Sequence, residues 1–273
     1  MHSPWVAIPT VLLLLSTAAL AQPVSPSDPL PGQPDRTYAD LVAALVPGIV
    51  IDDNNYSGGQ LPDIRHLGGW DEDGLALAST GRVSITAHPL GNRLALLLDF
   101  GTAADEVTDL AILALFDPVA TPPLLDAVNA SSDRWTAFLD PAHLPLGTGA
   151  DLLLTQNTHF NSSQAYATTA LTLVQHDLFE PIDIISTFSE TNCAFERIQS
   201  LAVTTHPAAP FAEILATVTE QTTIPPEPCA EPAAPAAGTR AIAVTYRWDA
   251  EAERYLPDSD AFGILARENE TRF

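Results

Sequence analysis

Lysine is absent from this chain, and every basic side chain is an arginine. The 11 arginines face 34 acidic residues, which gives a formal net charge of −23. A surface of that sign repels a phosphate backbone and an anionic membrane, so nucleic-acid binding is not expected. A basic protein, a small ligand or a divalent cation is the better match. Cysteine is almost absent too, with two residues, Cys193 and Cys229. That pair excludes a disulfide-dense miniature fold and a cysteine-rich metal site. Aromatic residues make up 7% of the chain, so the core has to be built from Leu, Val, Ile and Ala.

Long apolar runs are equally scarce. The one at the start, Val11 to Leu15 within MHSPWVAIPTVLLLLSTAALA, is shorter than a membrane span needs. It precedes Ala19-Leu20-Ala21, a small-x-small triplet of the kind cleaved after export. Residues 1–21 therefore read as a signal peptide, and the mature chain as secreted or periplasmic, with no span after cleavage. An oxidising compartment favours a disulfide between Cys193 and Cys229. The bridge would pin the Pro-rich stretch IPPEPCAEPAAPAAG.

Residues 22–36 (QPVSPSDPLPGQPDR) are rich in proline and read as an extended or disordered leader. Thr37 and Asp40 form an Asp version of the capping box. Tyr38, Leu41, Val42 and Leu45 then share one helical face, and Pro47-Gly48 ends the helix. Residues 49–75 read as loop. Beyond them the period changes to two. Val83, Ile85 and Ala87 alternate with polar residues, a turn follows, and Leu94, Leu96, Leu98 and Phe100 alternate in a second strand. Leu110 to Phe116 (LAILALF) is apolar on both faces, as a doubly buried strand is. Weaker strands fall at Leu124 to Ala130 and Trp135 to Leu139. Pro141 to Gly149 reads as a connector.

The second half is a run of strands joined by short turns, and it closes in a helix capped at Ser259. Sequential strands with short connections pair antiparallel. The expected fold is mainly β (α+β): an antiparallel meander forming a sheet, sandwich or half-barrel, with an N-terminal and a C-terminal helix. Residues 37–273 are expected as a single β-rich domain, with a subdomain boundary near 141–150.

Chemistry is sparse. No H-E-x-x-H, G-x-S-x-G, P-loop or dinucleotide fingerprint occurs. Asp53-x-Asn55-x-Ser57-Gly58 matches the first half of a calcium loop, with Asp53, Asn55 and Ser57 as ligands. Ile64 stands where the closing bidentate Glu belongs. The same residues also form turns. The densest polar stretch is Asn157 to Tyr166, between two apolar strands. As a surface loop it would present His159, Asn161, Ser162, Gln164 and Tyr166, which suit recognition: Tyr gives area, Asn and Ser give hydrogen bonds. His159 beside a serine also raises a nucleophile–base pair.

Ser162-Ser163-Gln164-Ala165-Tyr166 is similar to the S-G-x-x-Y segment of bacterial periplasmic lysozyme inhibitors, with Ser163 in place of the Gly. The similarity covers five residues, and this chain is about twice as long. It implies an exported acidic β-protein able to block a basic hydrolase. The expectation is an exported acidic binding or inhibitor-like module without a cofactor. A calcium-stabilised structural protein is the first alternative. A secreted hydrolase using His159 and a nearby Ser is the second.

Overall fold

The computed structural model describes residues 20–69, 77–102, 109–229 and 234–272. The expected signal peptide lies outside them, apart from its last two residues. The chain is mainly β and antiparallel, with one helix near each end of the described residues.

Among the described residues, ten strands and a helix make up the first half. The first nine strands and the helix are β1 (Gln22–Val24), β2 (Pro29–Leu30), β3 (Gln33–Thr37), α1 (Tyr38–Leu45), β4 (Val50–Asp52), β5 (Asn55–Ser57), β6 (Thr80–Arg82), β7 (Ser84–Leu90), β8 (Arg93–Thr102) and β9 (Asp109–Phe116). With β10 (Leu124–Asn129) they give a five-stranded sheet ordered β1-β7-β8-β9-β10. Two small sheets, β2-β3 and β4-β5-β6, accompany it.

Among the described residues, the second half is one meander of eight strands in sequence order. These are β11 (Thr136–Gly147), β12 (Ala150–Phe160), β13 (Gln164–Gln175), β14 (Leu178–Thr191), β15 (Glu196–His206), β16 (Glu213–Thr223), β17 (Gly238–Asp249) and β18 (Arg254–Pro257). Helix α2 (Ala261–Glu270) follows.

Packing explains the sequence pattern. The five-stranded sheet is covered on both faces. Ile112, Ala114 and Phe116 meet the α1 side chains Tyr38, Leu41, Val42 and Leu45. Ala111, Leu113 and Leu115 meet Leu153, Ala170, Val174 and Phe179 of the large sheet. That is why LAILALF shows no alternation: neither face meets water. At α1, Asp40 accepts the Thr37 backbone N–H at 2.7 Å, closing the expected box.

The large sheet folds on itself. β14 and β15 pair only at Glu190↔Arg197 and Thr191↔Glu196, then diverge. A third core fills the fold, with Leu152, Leu154, Leu171, Leu173 and Ile185 facing Ile214, Val218, Val244 and Tyr246. Phe262 and Leu265 of α2 enter the same core.

Several expectations are corrected. The leader 22–36 is not disordered. Val24 pairs with Ile85 at the sheet edge, and Leu30 is buried against α1. Pro23 is tolerated there because an edge strand can lack a donor. The loop 49–75 holds a hairpin, β4–β5, stacked through buried Tyr56 on Phe100. Residues 141–149 are not a connector: 141–147 belong to β11 and 148–149 turn into β12, so the change of sheet comes between β10 and β11. The cap of α2 is Asp260 rather than Ser259. The Cys193–Cys229 disulfide is formed, with Cα atoms 5.5 Å apart across 36 residues. In the chain-entropy model it stabilises by about 3–4 kcal/mol. Among the described residues no helix is long and apolar enough to cross a membrane.

Candidate functional site

The expected recognition loop, residues 157–166, is two strands and a turn. β12 runs to Phe160, β13 starts at Gln164, and His159 sits opposite Tyr166. Period-two alternation therefore continues through the stretch and divides its side chains between two faces. Asn157 is buried. Its amide donates to Ala130 O at 2.9 Å and accepts from Thr136 at 2.7 Å and from the Ser132 N–H at 3.0 Å.

The five candidate residues do not form one cluster, although Asn161 Nδ2 donates to Gln164 Oε1 at 3.0 Å and His159 stands opposite Tyr166. Asn161 Oδ1 accepts the N–H groups of Ser163 and Gln164 at 3.0 and 2.8 Å, so its work is to shape the turn. Ser162 is exposed at the tip. Gln164 donates to Arg272 O at 3.4 Å, and Tyr166 to Ser186 Oγ at 3.0 Å. His159 Nδ1 pairs with Asp133 at 3.0 Å. That supplies an imidazole and an acid, but among the described residues His159 makes no hydrogen bond to a serine.

Asp53, Asn55 and Ser57 lie on the β4–β5 hairpin. Asp53 takes φ +53° in the two-residue turn, a conformation Asp and Asn tolerate better than most. Asn55 and Ser57 point outward on either side of buried Tyr56. Turn chemistry accounts for the run of Asp and Asn. No group of three His, Cys, Asp or Glu side chains placed to hold a metal exists among the described residues. Asp71 and Asp73, which could have joined, lie outside them.

A cleft opens on the opposite side of the β12–β13 hairpin from His159. The apolar interior of the folded sheet runs along Leu152 and Leu154 on β12. Toward the hairpin tip the same face continues as Gln156, Thr158 and Phe160. Across the ladder, Leu171 gives way to Thr169, Ala167 and Ala165. The strand face thus changes from aliphatic to hydroxyl, amide and methyl while keeping one register. Because β14 and β15 have parted here, the space stays open: a cleft of about 250 Å³. Its walls are Leu139, Gln156, Thr158, Phe160, Thr187 and Leu201, with Ala165, Tyr166, Ala167, Ser189, Gln199 and Ser200 completing the lining; of the five residues singled out in the sequence, Tyr166 is the one that borders it.

One wall is fixed from behind. Gln199 accepts the Phe188 N–H at 2.9 Å and donates to Glu220 at 2.7 Å and to Asn269 at 2.9 Å. Glu220 also receives Arg240 at 2.8 Å and Arg272 at 2.7 Å. Burial alone would raise the Glu220 carboxyl. The hydrogen bonds from Gln199, Arg272 and Arg240 outweigh it and hold the group at about 2. This network ties α2 to β14, β16 and β17 and immobilises Gln199. The hydroxyls of Thr158 and Thr187, by contrast, have no hydrogen-bond partner among the described residues, and Ser200 alternates to the exposed face of β15.

Two exposed aromatics stand at the rim. Phe160 is 57% exposed, and Trp135, 53% exposed, packs beside it with ring centroids 6.0 Å apart. Trp135 holds φ +50°, a strained conformation for a bulky side chain. The alternation along β12 was available in the sequence as a signal for this face. The β14–β15 divergence, which opens the cleft, had none.

No protein-family model, no curated protein and no solved structure matches this chain.

Proposed function

We propose that this chain is a binding module of an oxidising, extracytoplasmic compartment, and that its site is the cleft between the β12–β13 hairpin and β15. The observation that carries the reading is the change of chemistry along one continuous strand face, from closed aliphatic core to an open cleft that presents the hydroxyls of Thr158 and, from β14 across it, Thr187. Ligand sites are concave, mixed in polarity and common at the mouths of curved sheets. The lining holds hydroxyls, amides, methyls and aromatic surface, and no carboxylate, imidazole or thiol. That composition favours recognition over acid–base or nucleophilic chemistry. The disulfide supports the compartment.

The test is to fill the site. Ala167→Trp places an indole in the cleft while leaving every residue of the Glu220 network in the sequence. Retention on immobilised neutral oligosaccharides, basic peptides and small apolar acids is compared for the native chain and the variant. A ligand held by the native chain and lost by a folded variant supports the reading. Equal retention by both moves the site elsewhere.

A further inference from the structure

Building on the cleft reading, we infer that its ligand is a neutral glycan, with a pyranose ring laid on Trp135 and Phe160 and its hydroxyls reaching Thr158 and Thr187. The walls of the cleft decide the charge of the ligand. No arginine or histidine lines it, so nothing there would compensate a phosphate or carboxylate taken out of water. No aspartate or glutamate lines it, so a buried ammonium would be equally unpaired. In a chain with 34 acidic residues, a site free of them stands out. A ligand for this cleft is therefore neutral.

It is also polar. A purely apolar guest would leave the Thr158 and Thr187 hydroxyls facing hydrocarbon without a partner, which a polar guest avoids. Yet half of the lining is apolar, and the rim carries two aromatic faces side by side. A pyranose matches this combination, because one set of its ring edges carries hydroxyls while its C–H face is flat and apolar.

The rim is held where such a ligand needs it. The Arg134 carbonyl accepts the Thr158 N–H at 3.1 Å, which ties the backbone next to Trp135 to the cleft wall. Trp135 keeps φ +50° and roughly half its surface in water, so burial does not explain it. A bulky residue in that conformation is strained, and persisting strain marks functional positions.

The experiment uses the full chain and defined probes: cello-, chito- and malto-oligosaccharides of three to six units. Binding is read by quenching of tryptophan fluorescence and by shifts of the backbone amides of Thr158, Ala165 and Ser189. At least one series should bind saturably. Trp135→Ala and Phe160→Ala should each weaken it tenfold or more with unchanged circular dichroism. Trp135→Gly adds a readout that a structural role would not give. Glycine relieves the positive φ, so the variant should melt at or above the native temperature while losing the sugar. A lower melting temperature with binding intact would overturn the inference. If no oligosaccharide binds but a basic peptide shifts the same amides, the glycan assignment falls and the cleft reading stands. If no probe of any class moves those amides, both fall.

Discussion

Acidification should weaken this fold through His88 before it reaches most of the carboxylates. His88 is fully buried on β7, and its Nε2 lies 2.7 Å from Nδ1 of His143 on β11, so the pair bridges the two large sheets. The ring of Phe138 lies 5.8 Å away, and His88 Nδ1 has no partner. A proton added to His88 places a second N–H where nothing accepts it. Burial, then repulsion from His143, lower its pKa from 6.5 to about 4. The folded-state value is below the unfolded one, so the unfolded chain binds the extra proton first. The contribution of neutral His88 is complete above pH 6.5 and is lost as the pH falls through 4.

At about 1.4 kcal/mol per pH unit, the loss between pH 7 and 4.5 comes to about 2 kcal/mol. For a chain of this size that is a fall of roughly 4–8 °C in Tm. Asp99 and Asp151, whose carboxyls burial raises, oppose it as they protonate. The assay is therefore a difference: Tm against pH for the native chain and for His88→Phe, which keeps the volume and removes the titration. The native curve should drop more steeply over pH 6.5–4.5. Parallel curves would refute the buried neutral imidazole.

Glu220→Gln should destabilise by about 2–3 kcal/mol, because it leaves Arg240 and Arg272 facing a neutral amide; chemical denaturation at pH 7 measures it. The same carboxylate sets a second acid limb. Its folded value of about 2 lies below the ordinary 4.5, so its stabilisation is present above pH 4.5 and disappears toward 2, and Glu220→Gln should flatten that limb. Replacing Cys193 and Cys229 with Ser should lower stability by about 3–4 kcal/mol, read from denaturant midpoints under oxidising conditions. Millimolar calcium should leave Tm unchanged, since the β4–β5 turn brings no third carboxylate to Asp53; a rise reversed by a chelator would restore the hairpin as a calcium site.

The strands were legible because alternation is local. Val83 to Ala87, Leu94 to Phe100 and Ile242 to Trp248 carry their inward faces in their own sequence. LAILALF was legible by the absence of alternation. The leader was misread because proline content speaks against an interior strand, while Pro23 sits on an edge where its missing donor costs nothing. Asn157 to Tyr166 was misread as a loop for a similar reason. Its polar residues looked like surface, but Asn157 is polar and buried among its own partners, and only residues 161–163 turn. The hairpin singled out in the sequence borders the cleft, and Tyr166 is among the lining residues; the side chains divide by period two, with His159 to one side of the ladder and Thr158, Phe160 and Ala167 to the other. Nothing in the sequence marks where β14 and β15 part, because that depends on α2 entering the gap and on Gln199 bonding to Asn269, 70 residues away. The His88–His143 pair is likewise a product of sheet stacking that no local pattern encodes.

The most direct test of the central claim is a map of backbone amide shifts for the native chain, titrated with whichever probe it retains most tightly. The expected result is one continuous patch comprising residues 156–160, 165–167, 187–189 and 199–201, with the 50–57 hairpin unmoved. Shifts centred on Asp133 that leave 187–189 and 199–201 unmoved, or shifts spread without a patch, would contradict the cleft reading.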